Sequence, residues 1–84
     1  MLEVLEEVTS RMKIWLETPE SVIKFVHKAN ELPTSIILNV VDEKGMCVSA
    51  RSVLGVLYAQ EFKHMWLVSN SDRIHTVFSE FAKD

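Results

Sequence analysis

Apolar residues change their spacing repeatedly along this chain, and that change limits its fold more than any other feature. Four segments are rich in β-branched residues or alternate between polar and apolar residues, as half-buried strands do. Elsewhere apolar residues recur at intervals of three and four, which predicts helices with one apolar face. The predicted strands are residues 11–17, 34–41, 46–50 and 62–69. The order β-α-β-β-α-β-α predicts an α+β fold, an open-faced β-sandwich with helices on one face of a four-stranded antiparallel sheet.

The first helix has the clearest start. Thr18 can accept a hydrogen bond from a free N–H of the first turn, and Pro19 suits the first helical position. Glu20 is favoured there by the positive end of the helix dipole. Pro33 ends the helix, and Asn30 suits its last turn. The apolar stripe predicted to face the sheet consists of Val22, Phe25, Val26 and Ala29.

Glycine and small polar residues mark the later turns and helices. Residues 42–45 predict a hairpin in which Gly45 adopts positive φ. Ser52 is the predicted N-cap of a short second helix, and Asn70 or Ser71 starts the last helix. In the second helix we predict Val53 and Val56 to face inward and Leu54 and Tyr58 outward, while Leu57 fits either side. The stripe of the last helix is Ile74, Val77, Phe78 and Phe81.

Length indicates a single domain. The chain has 84 residues, of which 48% are hydrophobic and 25% charged, which is ordinary for a globular domain. Residues 1–10 form an N-terminal extension, and residues 11–84 form the domain. Helical spacing within residues 1–8 predicts a short helix in the extension.

Charge and residue types exclude several classes of function. The formal net charge is −3 and no basic run occurs, so nucleic acid is not an expected partner. The single cysteine, Cys47, cannot form an internal disulfide, and the three histidines lack metal-ligand spacing. We therefore expect no metal and no cofactor. No segment predicts a secretory signal or a membrane span, so the expected location is the cytoplasm.

The segment from Val48 to Leu57 resembles one protein family. It places Arg51 and Ser52 ahead of an aliphatic helix, as the HPr proteins of the sugar phosphotransferase system do. The stretch from Phe25 to Ala29 is similar to the first helix of that family. The resemblance covers residues 11–84 and implies the HPr fold, in which strands 1 and 4 are neighbours. It also implies protein partners, namely phosphotransferase-system enzymes or regulators.

The chain departs from the family where HPr carries its phosphoacceptor. In the register of the first helix, Thr18 stands at the histidine position of the family, Glu20 at its arginine position and Ser21 at its proline position. An imidazole nitrogen is the nucleophile of that chemistry and a guanidinium steadies the phosphate, so we expect no catalytic residue and no histidine phosphotransfer. The resemblance also maps Ser52 to a serine that a dedicated kinase phosphorylates in some HPr proteins. A plain N-cap is the simpler interpretation of Ser52, and Arg51 beside it would favour a phosphate.

Two apolar surfaces are predicted to bind protein partners. One lies on the second helix at Leu54, Leu57 and Tyr58, in the part of the fold that the family uses to meet its enzymes. The other is the outward face of the sheet, where Trp15 and Trp66 are predicted to lie close together. The side chains predicted to point inward are Met12, Ile14, Leu16, Ile36, Leu38, Val40, Met65 and Leu67, and those predicted to point outward are Trp15, Ile37, Val41, Trp66 and Val68. Two interpretations of the outward face stay open. Either it binds a second copy in a homodimer or another partner, or residues 1–10 fold back and cover it.

These observations favour a non-enzymatic, regulatory or partner-binding protein of HPr type. Two alternatives remain. One is a phosphocarrier whose acceptor lies elsewhere in the chain. The other is a small-ligand regulatory module of the ACT kind, which would form a dimer with ligands at the helix ends.

Overall fold

The computed structural model describes residues 8–83 and arranges them as four strands, three α-helices and a 3₁₀ helix. The elements are β1 (Ser10–Ile14), α1 (Pro19–Glu31), β2 (Leu38–Asp42), β3 (Cys47–Ser49), α2 (Val53–Ala59), β4 (Met65–Ser69), α3 (Ile74–Val77) and the 3₁₀ helix Ser79–Phe81. The strands form one antiparallel sheet in the order β1-β4-β2-β3. The predicted α+β class with an open four-stranded sheet is therefore confirmed. The helix predicted within residues 1–8 falls almost wholly outside the described residues.

One hydrophobic core lies between the helices and one face of the sheet. Alternate residues of each strand point into it, because successive side chains of a strand point to opposite faces. All four stripe residues of α1 are buried there, as predicted. The strand residues that join them are Ile14, Leu38, Val40, Met65 and Leu67, with Met12, Ile36 and Val48 packed at the margin.

The predictions for β1 and β2 were too long. β1 ends at Ile14 rather than at residue 17, because the N–H of Trp15 donates to the carbonyl of Phe81 (2.9 Å) and leaves the β4 ladder. β2 begins at Leu38 rather than at residue 34. Residues 33–36 form a turn instead, closed by the N–H of Ile36 on the carbonyl of Pro33 (3.0 Å).

The end of α2 and the segment after β4 also differ from the predictions. β4 begins at Met65 rather than at residue 62, because the N–H of Phe62 still donates to the carbonyl of Ala59 (2.9 Å) in the turn that ends α2. The last helix begins at Ile74, not at residue 70 or 71. Asn70 instead connects the end of β4 to the segment before β2, accepting from the N–H of Ile37 (2.9 Å) and donating to the carbonyl of Ser35 (3.2 Å).

The two glycines serve turn geometry and close packing. Gly45 has φ 93° in the hairpin between β2 and β3, as predicted. Gly55 lies inside α2, where glycine costs about 1 kcal/mol relative to alanine. A Cβ at that position would lie 3.3 Å from the Cβ of Val48 and 3.4 Å from the hydroxyl of Ser52. The glycine therefore lets α2 approach β3 closely.

Glu80 ties the 3₁₀ helix to α1. Its carboxylate lies 3.5 Å from the ammonium of Lys24 and 3.4 Å from that of Lys28, one helical turn further on. Desolvation acts to raise the pKa of Glu80. The hydrogen bond from Lys28 and the charges of both lysines outweigh it and hold this pKa below its ordinary value of 4.5.

We expect the double substitution Lys24→Ala/Lys28→Ala to return the pKa of Glu80 towards its ordinary value. Because the folded pKa is the lower one, the stabilising contribution is complete above the unfolded pKa near 4.5 and is lost as pH falls through the folded pKa. A carbon-detected NMR titration of the carboxyl group measures the shift. An unchanged titration curve in the double variant would assign the lowered pKa to something other than the lysines.

Candidate functional site

The turn into α1 is a complete helix cap. The Thr18 hydroxyl accepts from the N–H of Ser21 (3.1 Å), and the Ser21 hydroxyl accepts from the N–H of Thr18 (3.1 Å). The Ser21 hydroxyl also donates to the carbonyl of Thr18 (2.6 Å). Thr18 is the N-cap and Glu20 lies in the first turn, as predicted, and both residues are exposed. This turn presents a hydroxyl and a carboxylate, and both groups stabilise the start of the helix.

The three histidines lie in three different parts of the fold. His27 lies on the exposed side of α1, nine residues beyond Thr18 and about 13 Å along the axis at the usual helical rise. Its Nδ1 is 3.5 Å from the carboxylate of Glu31. His64 precedes β4 with its ring centroid 6.3 Å from that of Trp66, and His75 lies in α3.

Ser52 caps α2. Its hydroxyl accepts from the N–H of Gly55 (3.1 Å), and the residue is exposed. The N-cap interpretation of the sequence is therefore confirmed. The exposed hydroxyl is compatible with modification.

Arg51, beside Ser52, has a different role from the one expected. Its guanidinium donates to the backbone carbonyls of Ala29, Leu32, Pro33 and Ile36, at 2.5 to 3.0 Å. It therefore closes the C-terminal end of α1 and the turn before β2. In addition, the Asn30 side chain donates to the carbonyl of Arg51 (3.2 Å). With these four bonds the guanidinium is committed to backbone oxygens, so it is not free to hold a phosphate on Ser52.

The outward side of α2 carries an exposed apolar surface, hereafter the α2 surface. Leu54 is 80% exposed, Tyr58 52% and Leu57 37%, so Leu57 lies outward rather than in the core. Val53, predicted to face inward, is 42% exposed because it is the first residue of the helix, where the core begins only at Val56. The inward orientation predicted for Val53 was wrong because helical spacing shows which residues share a face, but not which part of a short helix lies over the sheet.

The two tryptophans have different surroundings. Trp66 lies on the outward face of β4, with the Arg11 guanidinium 4.6 Å from its ring centroid. Trp15 lies just past the end of β1 with the ammonium of Lys83 5.1 Å from its ring centroid. A shallow groove there is lined by Trp15, Glu17, Ser21, Lys24 and residues 80–83. Each of the two rings therefore has a basic residue beside it, and the closeness of the rings to one another stays a prediction.

Comparison with models of protein families, with curated proteins and with solved structures finds no match. Within residues 8–83, none of the helices has the length and apolar character needed to cross a membrane. The same part of the chain holds no group of three or more histidine, cysteine, aspartate or glutamate side chains arranged to bind a metal ion.

Proposed function

We propose that the chain is an HPr-like protein that acts by binding other proteins, namely enzymes or regulators of a sugar phosphotransferase system, and does not relay phosphate through histidine. The resemblance of the segment Val48 to Leu57 to HPr proteins supports this. The order of elements and the adjacency of β1 and β4 agree with what that resemblance implies.

The α2 surface is the observation that carries the proposal. Its leucine and tyrosine side chains are exposed and lie together. When a partner covers them they lose contact with water, and such burial drives association. The surface begins directly after Ser52, so a phosphate added there would place two negative charges beside Leu54. Phosphorylation of Ser52 would in this way weaken or redirect binding.

The turn into α1 supports the second half of the proposal. A threonine hydroxyl is a weak nucleophile without a neighbouring base, and its hydroxyl is already bonded to the N–H of Ser21. The carboxylate of Glu20 would repel a phosphoryl group at the position where HPr supplies an arginine.

Two purified proteins test the proposal: the first enzyme of the phosphotransferase system and the kinase that modifies HPr on serine. We expect at least one of them to bind the chain, and Leu54→Ser to weaken that binding at least tenfold. Met46→Ser removes another exposed apolar side chain and is the matched control. Titration calorimetry gives both affinities, and Ser52→Asp measured in parallel reports on the switch.

Incubating the chain with the first enzyme of the phosphotransferase system and phosphoenolpyruvate tests whether the chain accepts a phosphoryl group. We expect no acid-labile phosphoryl adduct on the chain under conditions that label an HPr protein with the active histidine. An adduct on any histidine would favour the displaced-acceptor alternative. Absence of binding to both proteins, or equal loss with Leu54→Ser and Met46→Ser, would overturn the proposed function of the α2 surface.

A further inference from the structure

The face of the sheet opposite the helices has an unusual distribution of charge. Its outward strand residues are Arg11 and Lys13 on β1, Trp66 and Val68 on β4, Asn39 and Val41 on β2, and Cys47 and Ser49 on β3. The only charged residues among these outward positions are Arg11 and Lys13, whereas the whole chain has a formal net charge of −3. At these described strand positions the outer face is therefore locally cationic, on a negatively charged protein.

The cations lie against the apolar centre of the outer face. The ring centroid of Trp66 is 4.6 Å from the Arg11 guanidinium and 5.7 Å from the Lys13 ammonium. In the register of the sheet, Trp66 stands between Lys13 and Val41, and Val68 stands beside Arg11. The outer face thus has an apolar middle on β4 and β2, a basic side on β1 and an uncharged polar side on β3.

The dimensions of the outer face suit one helix. Four strands spaced about 4.8 Å apart present a face about 15 Å wide, and a helix with its side chains is about 10 Å across. Sheets commonly bury an apolar face beneath a helix, and only the opposite face of this sheet is covered by the described helices. A helix lying over β4 and β2 would bring one of its sides next to Arg11 and Lys13.

We propose that the outer face binds the apolar stripe of an acidic amphipathic helix from another protein. Carboxylates beside that stripe would pair with Arg11 and Lys13 while apolar side chains cover Trp66, Val68 and Val41. A second copy of this chain is a poorer occupant, because the described strand positions of its own outer face offer the same two cations and no carboxylate. Residues 1–10 of the chain itself, left open above as cover for this face, are the competing occupant that the test separates from another protein. A nucleic acid strand is opposed by the net negative charge and finds only two cations. This surface lies across the sheet from α1, so the inference goes beyond the α2 surface of the proposed function.

Fluorescence of Trp66 reads binding at the outer face directly. The chain has two tryptophans, so Trp15→Phe leaves Trp66 as the sole tryptophan, which can be excited beyond the absorption of Tyr58. The probe is a synthetic helical peptide with a leucine stripe and glutamates along one side of it. We expect saturable change in Trp66 emission with this peptide, and at least tenfold weaker binding when lysines replace the glutamates or serines replace the leucines.

Paired charge variants locate the site. In the Trp15→Phe background, Arg11→Ala/Lys13→Ala is expected to weaken peptide binding about tenfold, as loss of two surface ion pairs allows. The control Lys24→Ala/Lys28→Ala removes the same charge from α1, across the sheet, and should change affinity less than about twofold.

Results of four kinds would overturn the inference. The first is equal weakening by the two double variants, or no saturable change with the glutamate peptide. The second is tighter binding of oligothymidylate than of that peptide, which would assign the face to nucleic acid. The third is a dimer in sedimentation that Arg11→Ala/Lys13→Ala dissociates, which would assign the face to a second copy. The fourth is peptide binding that tightens at least tenfold when Glu3, Glu6 and Glu7 are replaced by glutamine, which would assign the face to residues 1–10 of the chain itself.

Discussion

Replacing Arg51 by alanine is expected to lower the free energy of unfolding by about 3 kcal/mol. The substitution removes a charged group that donates to the carbonyls of Ala29, Leu32, Pro33 and Ile36. Hydrogen bonds from charged groups are worth about 1.5–3 kcal/mol each, but bonds made by one side chain do not add. Water can replace the guanidinium at the most exposed of these carbonyls, which keeps the loss well below the sum of four bonds.

Urea unfolding of Arg51→Ala and Arg51→Lys measures this effect. Lysine keeps the charge, but its single ammonium cannot reach four carbonyls as the planar guanidinium does, so we expect Arg51→Lys to recover less than half of the loss. Arg73→Ala removes an exposed arginine that makes no side-chain cap and should change stability by less than about 0.5 kcal/mol. If Arg51→Ala were no more harmful than Arg73→Ala, the carbonyl contacts would contribute nothing to stability.

Replacing Phe25 by alanine is expected to cost about 3–5 kcal/mol. The side chain is fully buried, and its ring lies 5.1 Å from that of Phe78 and 5.3 Å from that of Phe81. Truncation loses the transfer free energy of the ring and leaves a cavity between α1 and the C-terminal helices. Domains of this size have about 4–13 kcal/mol of stability in total, so the loss ranges from about a quarter of that stability to all of it.

A milder variant keeps the prediction measurable. Phe25→Leu fills most of the space and should cost about 1–2 kcal/mol in urea unfolding. Ile23→Ala is the matched control, since Ile23 lies two residues earlier on α1 and is 59% exposed. We expect that control to stay within about 0.5 kcal/mol of the original chain. Similar losses at positions 23 and 25 would mean that the three rings do not form the core described above.

Much of the architecture could be predicted because it rests on local signals. The cap at Thr18, the stripe of α1 and the positive φ of Gly45 each follow from a few neighbouring residues, and each is confirmed. The same holds for the cap at Ser52. The end of β1 was predicted less well, because whether Trp15 continues the strand depends on a carbonyl 66 residues away in the chain, that of Phe81.

The features of the candidate surfaces likewise fall into those that local sequence determines and those that depend on contacts between distant residues. The amino-acid sequence alone determines that no histidine precedes position 27, and its helical spacing determines that Leu54 and Tyr58 share the outward side of α2. Only the tertiary structure decided that Arg51 binds the end of α1, and that Arg11 and Lys13 lie over Trp66. The reason is physical: caps and helical stripes are settled within a few residues, whereas these contacts join groups 15 to 55 residues apart in the chain, which the fold alone brings together.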